Sequence, residues 1–241
     1  MKARTKGWLI ATALGVLSAG CATQPAAPDF PALVASPDRS DADRATDARR
    51  KPAQLLAFYG VRPGMTVFDL SAGAGYNTEL LARAVGASGR VYAQNPAPAA
   101  RLDERMKMPY MSNVVAVVRQ FSDPVPPEVR NLDLVTFNFN YHDTVHMGVD
   151  RARLNRAVFD ALKPGGVYIV ADHSGRPGTG VSETKTLHRI EEAAVRREIE
   201  AAGFRFVAEG GFLRNPQDPR DAPVFKPKQP NDEFVLKFVK P

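Results

Sequence analysis

The sequence predicts a doubly wound α/β domain: a mostly parallel, seven-stranded sheet, its last strand antiparallel, with helices on both faces. Two observations carry this expectation. Short, near-continuous apolar runs such as Val114 to Val118 and Leu132 to Phe139 alternate with helical stretches bounded by Gly, Pro and Asn, the pattern of parallel strands covered on both faces. The last two runs, Phe204 to Phe212 and Phe234 to Val239, are separated only by the Pro-rich stretch Asn215 to Pro230. With no helix between them to make a crossover, they are expected to pair antiparallel. At 241 residues, 44% apolar and 24% charged, the chain suffices for one domain with a substantial core and an extra piece at one end.

The elements follow in order. Asp41 to Arg50 reads as a charged helix, and Pro52 opens a second that stops at Gly60, since Pro suits a first turn and Gly an end. Arg62-Pro63-Gly64 turns into a first strand, Met65 to Leu70. Helix Asn77 to Val85, strand Arg90 to Ala93, helix Ala99 to Lys107 and strand Val114 to Val118 come next. After the fourth strand, a helix from Asp150 to Leu162 ends at Lys163-Pro164-Gly165-Gly166, before strand Val167 to Ala171. Ser182 is expected to cap a long helix to Ala202, with Leu187, Ile190, Ala194 and Ile199 on one side.

Residues 1–7 are basic, Trp8 to Leu17 are almost wholly apolar, and Ser18-Ala19-Gly20 are small, the order of a secretory signal. That apolar stretch is too short for a bilayer span, which needs about 20 residues. It runs directly into Cys21, the single cysteine, which excludes an internal disulfide framework. Leu17-Ser18-Ala19-Gly20-Cys21 resembles a bacterial lipobox, with Ser18 where leucine is usual. The resemblance implies cleavage before Cys21, its acylation, and a periplasmic protein attached to the outer membrane. Residues 21–37, rich in Ala and Pro, are expected to be an extended tether, and 38–241 the folded domain. The formal charge is +6, but Lys2, Arg4 and Lys6 belong to the signal, leaving 29 basic against 26 acidic residues. That small surplus, with no basic run, gives no reason to invoke nucleic acid. No oligomeric interface is legible.

Asp69-Leu70-Ser71-Ala72-Gly73-Ala74-Gly75 lies between the first strand and a helix, where glycine lets a backbone pass close beneath a ligand and helix amides offer donors. The spacing is not that of dinucleotide folds, because no third glycine follows. Together with Asn131-Leu132-Asp133-Leu134-Val135 and Leu162-Lys163-Pro164-Gly165-Gly166-Val167, this motif resembles the class I S-adenosylmethionine-dependent methyltransferases, with their Rossmann-like sheet. More closely, Arg50-Lys51-Pro52, Val91-Tyr92-Ala93-Gln94-Asn95 and Tyr141-His142-Asp143 resemble a bacterial group of exported predicted methyltransferases. The resemblance implies S-adenosylmethionine as cofactor. Asp69, Ser71, Gly73 and Gly75 would lie at its amino-acid end, Gln94 or Asn95 at the ribose and Asp123, with Phe121 and Ser122 beside it, at the adenine, and Asn138 completes the cofactor-binding candidates. The ribose position is normally a carboxylate, and an amide there makes weaker, neutral hydrogen bonds. Asp123-Pro124 also fits a plain turn.

Histidines form a second signal. Asn138, Asn140, Tyr141, His142 and Asp143 run off the fourth strand, and Asp172, His173 and Ser174 off the fifth, the sheet edge where ligands bind in such folds. Tyr141, His142, Asp143, Asp172 and His173 are therefore the catalytic candidates, for proton transfer or for a divalent metal held by His142, Asp172 and His173. His142 and His146 are four apart but lack the adjacent glutamate of zinc peptidases. His188, one helical turn from Glu192, reads as a solvated ion pair. Arg176 to Gly180 could form a lid, and Arg214 to Pro230 reads as a surface excursion. The expected function is methyl transfer in the cell envelope to an unidentified small acceptor. Two alternatives are a non-catalytic envelope protein binding a nucleoside-like ligand, and a metal-dependent enzyme at the histidine edge.

Overall fold

The computed structural model describes residues 25–225 and 227–241; the expected signal and Cys21 lie outside the described residues. Seven strands, β1 (Thr66–Leu70), β2 (Arg90–Asn95), β3 (Val114–Val118), β4 (Leu132–Asn138), β5 (Leu162–His173), β6 (Arg205–Glu209) and β7 (Glu233–Val239), form one sheet in the order β3-β2-β1-β4-β5-β7-β6. The pairs from β3 across to β5 are parallel, and β7 lies antiparallel between β5 and β6. Strand order reverses between β1 and β4, which places a crevice at their carboxyl ends.

Helices α1 (Phe30–Val34), α2 (Asp41–Arg50), α3 (Pro52–Tyr59), α4 (Tyr76–Val85) and α5 (Ala100–Arg105) precede β3, and α6 (Tyr141–His146), α7 (Arg151–Ala161) and α8 (Glu192–Ala201) follow β4. Alternation along β1 divides the core. Val67 packs with Leu56, Leu81 and Val85 of α3 and α4, whereas Phe68 and Leu70 belong with Leu154 and Val158 of α7 and Val195 and Ile199 of α8. Asp69 shares the Val67 face, and the register sets Thr136 of β4 beside it.

An ionic cluster holds α2 over the glycine loop. Arg105 pairs with Asp43 at 2.6 Å and with buried Glu79, Arg39 pairs with Asp47, and Tyr76 donates to Asp47 at 2.7 Å. The end of α2, with Arg49 and Arg50, is thereby brought to the carboxyl edge of the sheet.

Two expectations are corrected. The tether expected over 21–37 contains α1, where Asp29 accepts from the Ala32 amide and Pro31 sits in the first turn. Its Phe30 is buried against the α3 and α4 face, so the packed domain begins before residue 38. An Ala/Pro-rich composition is compatible with one capped turn that has an aromatic ring to bury. The long helix expected from Ser182 exists only as α8. At Ile190 the chain is drawn onto the end of β5: the Ile190 amide donates to the His173 carbonyl at 3.0 Å and the Gly175 amide to the Ile190 carbonyl at 2.7 Å. Ile190 is fully buried, so one apolar stripe in the sequence serves two separate segments. Among the described residues no helix is long and apolar enough to cross a membrane.

Phe30→Ala is expected to destabilise the full chain by about 3–5 kcal/mol, read as a lower urea midpoint. An unchanged midpoint would show that α1 is not part of the cooperative unit.

Candidate active site

The glycine loop begins from a buried carboxyl. Asp69 is 2% exposed and accepts hydrogen bonds from Asn77 Nδ2 (2.8 Å), Thr78 Oγ1 (2.6 Å) and Thr136 Oγ1 (2.8 Å). Burial raises its pKa and these three donors oppose the rise. They also pin the start of α4 to β1 and β4. The loop then takes left-handed backbone at Ser71 (φ 60°), Gly73 (φ 57°) and Gly75 (φ 86°). A Cβ on Gly75 would stand 2.8 Å from Leu102 Cδ1, whereas nothing lies within 4 Å of one on Gly73. Gly75 is thus favoured by its left-handed backbone and by the crowding of Leu102, and the Gly73 face of the loop is open.

The end of β2 grips this loop from behind. Gln94, fully buried, accepts from the Ser71 amide at 3.0 Å and donates to the Arg119 carbonyl. Asn95 accepts from the Gly73 amide at 2.8 Å and donates back to the Gly73 carbonyl at 3.1 Å. Both amides therefore shape the loop, a two-way pairing that a carboxylate could not make with Gly73.

A cavity of about 450 Å³ opens beside the ends of β4 and β5, lined by Arg49, Arg50, Phe139, His142, Asp143, His173, His188 and residues of the 214–230 segment. Asp172, fully buried, accepts from the His142 amide (2.8 Å), His142 Nδ1 (2.7 Å) and the His173 amide (2.8 Å). Burial disfavours charge on His142, but Asp172 and Asp143 outweigh it and hold its pKa at about 10. Asp143 is likewise partly buried, yet its contact with His142 and the Asn140 amide keep it ionised, with a pKa of about 2. With no cation between the ring and Asp143, Asp172 and Asp143 therefore favour the protonated, hydrogen-bond-donating form of His142.

The two regions are joined. Ser71 Oγ donates to Asn140 Oδ1 at 3.1 Å, and Asn140 Nδ2 donates to Asp143 Oδ2 at 2.7 Å. Asn138 donates to the Tyr59 hydroxyl at 2.9 Å, leaving its Oδ1 buried and without a partner among the described residues.

Of the residues expected at the site, His142, Asp143 and His173 line the cavity and Asp172 stands directly behind His142. Tyr141 does not. Its buried hydroxyl donates to Glu198 and accepts from Asn155, on the α7 and α8 side. Asp123 pairs with Arg119 in a tight turn, which is the plain-turn reading. Asp172 and His173 do not converge with His142 as three ligands, because His173 Nδ1 stands 3.1 Å from Glu233 instead. His188 is not paired with Glu192, which binds Arg214; at φ 52° its backbone turns the ring onto His142 and Asp143. The Arg176 to Gly180 segment is tethered by Glu191, which accepts from the Gly178 and Gly180 amides. The supposed surface excursion supplies Val224, Phe225 and Pro227 to the cavity wall. Arg49, Arg50 and Glu233 carry no sequence signal for this place beyond the Arg50-Lys51-Pro52 resemblance.

No protein-family model matches the chain. It is similar to the ubiquinone/menaquinone biosynthesis C-methyltransferase UbiE of Salmonella arizonae, 25% identical over 164 residues that cover 66% of this chain and 64% of that protein. The same protein of Enterobacter sp. is 26% identical over an equal span. The match thus spans 64% of the length of these curated relatives. Among solved structures, a SAM-dependent methyltransferase from Aquifex aeolicus superposes with a TM-score of 0.61 at 19% identity, over 84% of this chain and 100% of that one. The 1,6-didemethyltoxoflavin-N1-methyltransferase of Burkholderia thailandensis, solved with its substrate and S-adenosylhomocysteine, gives 0.58 at 18%, over 83% and 81%. The fold is that of the class I S-adenosylmethionine-dependent methyltransferases.

The glycine loop fits that cofactor at its anionic end. Gly73 leaves open space, and α4 begins without a side-chain cap, so its first amides are available to a carboxylate. At the ribose position the fit rests on neutral amides already bonded to the loop.

Asn95→Asp is expected to destabilise the fold by about 1–3 kcal/mol, because the Gly73 carbonyl loses its donor and faces an anion. Denaturant unfolding checks this, with the slope unchanged.

Proposed function

We propose that the chain is an S-adenosylmethionine-dependent methyltransferase of the cell envelope, acting on a small acceptor with an anionic oxygen. The observation that carries this reading is the Ser71-Asn140-Asp143 chain of hydrogen bonds, which sets the open glycine loop beside the cavity on a fold shared with such enzymes. When bound, the cofactor supplies an electrophilic methyl group. The residues supply position and charge.

Arg50 stacks on Phe139 at 3.5 Å, and its buried Nε has no hydrogen-bond partner among the described residues. Burial and neighbouring Arg49 push its pKa down to about 10, so it remains a cation at neutral pH, in want of an oxyanion. Arg49, by contrast, is paired with Glu233 at 2.9 Å. With no cation between them, His142 donates a hydrogen bond to an acceptor oxygen and Asp143 accepts one from an acceptor hydroxyl or amine. Together these groups orient the acceptor toward the loop.

Calorimetric titration of the full chain with S-adenosylmethionine and S-adenosylhomocysteine is expected to give saturable heat for both. Gly73→Asn, which places a side chain in the open face at a left-handed position that Asn tolerates, is expected to weaken it by at least about tenfold, or 1.4 kcal/mol. Absence of heat at millimolar ligand would overturn the reading.

The envelope location rests on residues 1–21 alone. Metabolic labelling with a fatty acid in a bacterial host is expected to mark the protein and to be lost in Cys21→Ser; equal labelling of both would refute acylation at that position.

A further inference from the structure

We infer that His142, Asp143 and His188 form a binding site for one divalent transition-metal ion, facing the cavity, with Asp172 and Asn140 as its supporting partners. Three donor atoms make a nearly equilateral triangle. His142 Nε2 lies 3.1 Å from Asp143 Oδ1 and 3.2 Å from His188 Nδ1, and His188 Nδ1 lies 3.2 Å from Asp143 Oδ1. Ligand atoms held about 2.1 Å from a common ion in tetrahedral or octahedral geometry are separated by roughly 3.0–3.4 Å. An ion at that distance from all three atoms would sit about 1 Å above their plane.

Hydrogen bonding can satisfy two edges of the triangle, with both ring N–H groups donating to Asp143 Oδ1, but it then leaves His142 Nε2 and His188 Nδ1 facing each other at 3.2 Å with no bond between them. A cation would satisfy all three edges at once.

The surroundings match what metal ligands require. Asp172 Oδ1 holds His142 Nδ1 at 2.7 Å, fixing the ring so that Nε2 points into the triangle, the carboxylate-histidine arrangement that orients a ligating imidazole. Asp143 keeps its other oxygen on Asn140 Nδ2 at 2.7 Å, which leaves Oδ1 for the ion. Phe225 packs edge-on against His188, with ring centroids 4.7 Å apart. Two imidazoles and one carboxylate favour zinc or another first-row divalent ion over magnesium or calcium, which prefer all-oxygen sites. Three protein ligands leave coordination positions for a ligand oxygen, as at catalytic metal sites. Because all three residues line the cavity that also holds Arg50, the ion and the guanidinium could grip one oxyanion together.

The proposed set differs from the His142, Asp172 and His173 set expected from the sequence, and the difference is measurable. The full chain, stripped with a chelator and dialysed, is titrated with Zn²⁺ by calorimetry and with Co²⁺ by visible absorption, without S-adenosylmethionine. Failure here and failure of the cofactor titration are therefore separate results. One ion per chain is expected. His188→Ala and Asp143→Ala should each weaken it by about tenfold or more, and Asp172→Asn by roughly 10–100-fold. His173→Ala should retain the ion. His188 is partly exposed, so its variant can be checked for native circular dichroism even if a His142 variant fails to fold. No saturable binding below millimolar metal, or a folded His188→Ala protein that binds as the parent does, would overturn the inference.

Discussion

A buried carboxyl at the centre of a sheet destabilises the fold unless its hydrogen bonds are satisfied, and Asp69 meets that demand with three side chains from two elements. Asn77 and Thr78 lie in the first turn of α4, and Thr136 is the register partner on β4. Satisfying Asp69 therefore fixes where α4 starts, how the intervening loop must bend, and which face of β4 meets it. The left-handed backbone at Ser71, Gly73 and Gly75 is the local consequence. From Ser71 the same geometry reaches Asn140 and Asp143, so a constraint set in the core governs a side chain at the cavity.

A second buried carboxylate organises the other half of the site. Asp172 gathers a backbone amide and a ring nitrogen from α6 and a further amide from β5, locking a short helix onto a strand end. A six-residue helix has little stability of its own, and this anchoring gives His142 a fixed orientation. Around it the charges are arranged in opposition: Asp143, Asp172 and Glu233 against His142, Arg49 and Arg50. Arg50 is the cation whose Nε has no hydrogen-bond partner among the described residues, which is why the cavity reads as a site for an anion.

Most of the fold was legible because strand burial writes itself into composition. The runs at Met65 to Leu70, Val114 to Val118 and Leu132 to Phe139 lie at β1, β3 and β4, and the antiparallel end followed from a missing helix between the last two strands. The sequence pattern failed where one periodicity served two ends. Leu187 and Ile190 match α8 in spacing, but Ile190 bridges to β5, a long-range contact invisible to a local window. At the site, His142, Asp143 and His173 were found because strand ends are where ligands bind. Tyr141 lies beside them in sequence but not in space, since adjacent residues on a helix project about 100° apart and its hydroxyl turns to Glu198 and Asn155. His188 and Arg50 arrive from segments remote in sequence, and no spacing rule connects them to β4.

The outer wall of the cavity comes from the segment between β6 and β7, through Val224, Phe225 and Pro227. Phe225 remains largely exposed while its ring edge meets His188. The glycine loop and His142 depend on the sheet, whereas this wall is held through the segment that carries His188: the Val224 amide donates to the Leu187 carbonyl at 3.2 Å and Arg189 Nε to the Ala222 carbonyl at 2.9 Å. Its exposed positions, Phe225 foremost, can be exchanged with little disturbance to Asp69 or Asp172. The selectivity of the cavity can accordingly diverge between otherwise similar chains, with the chemistry-bearing edge inherited intact and the range of admitted molecules rewritten in a single loop.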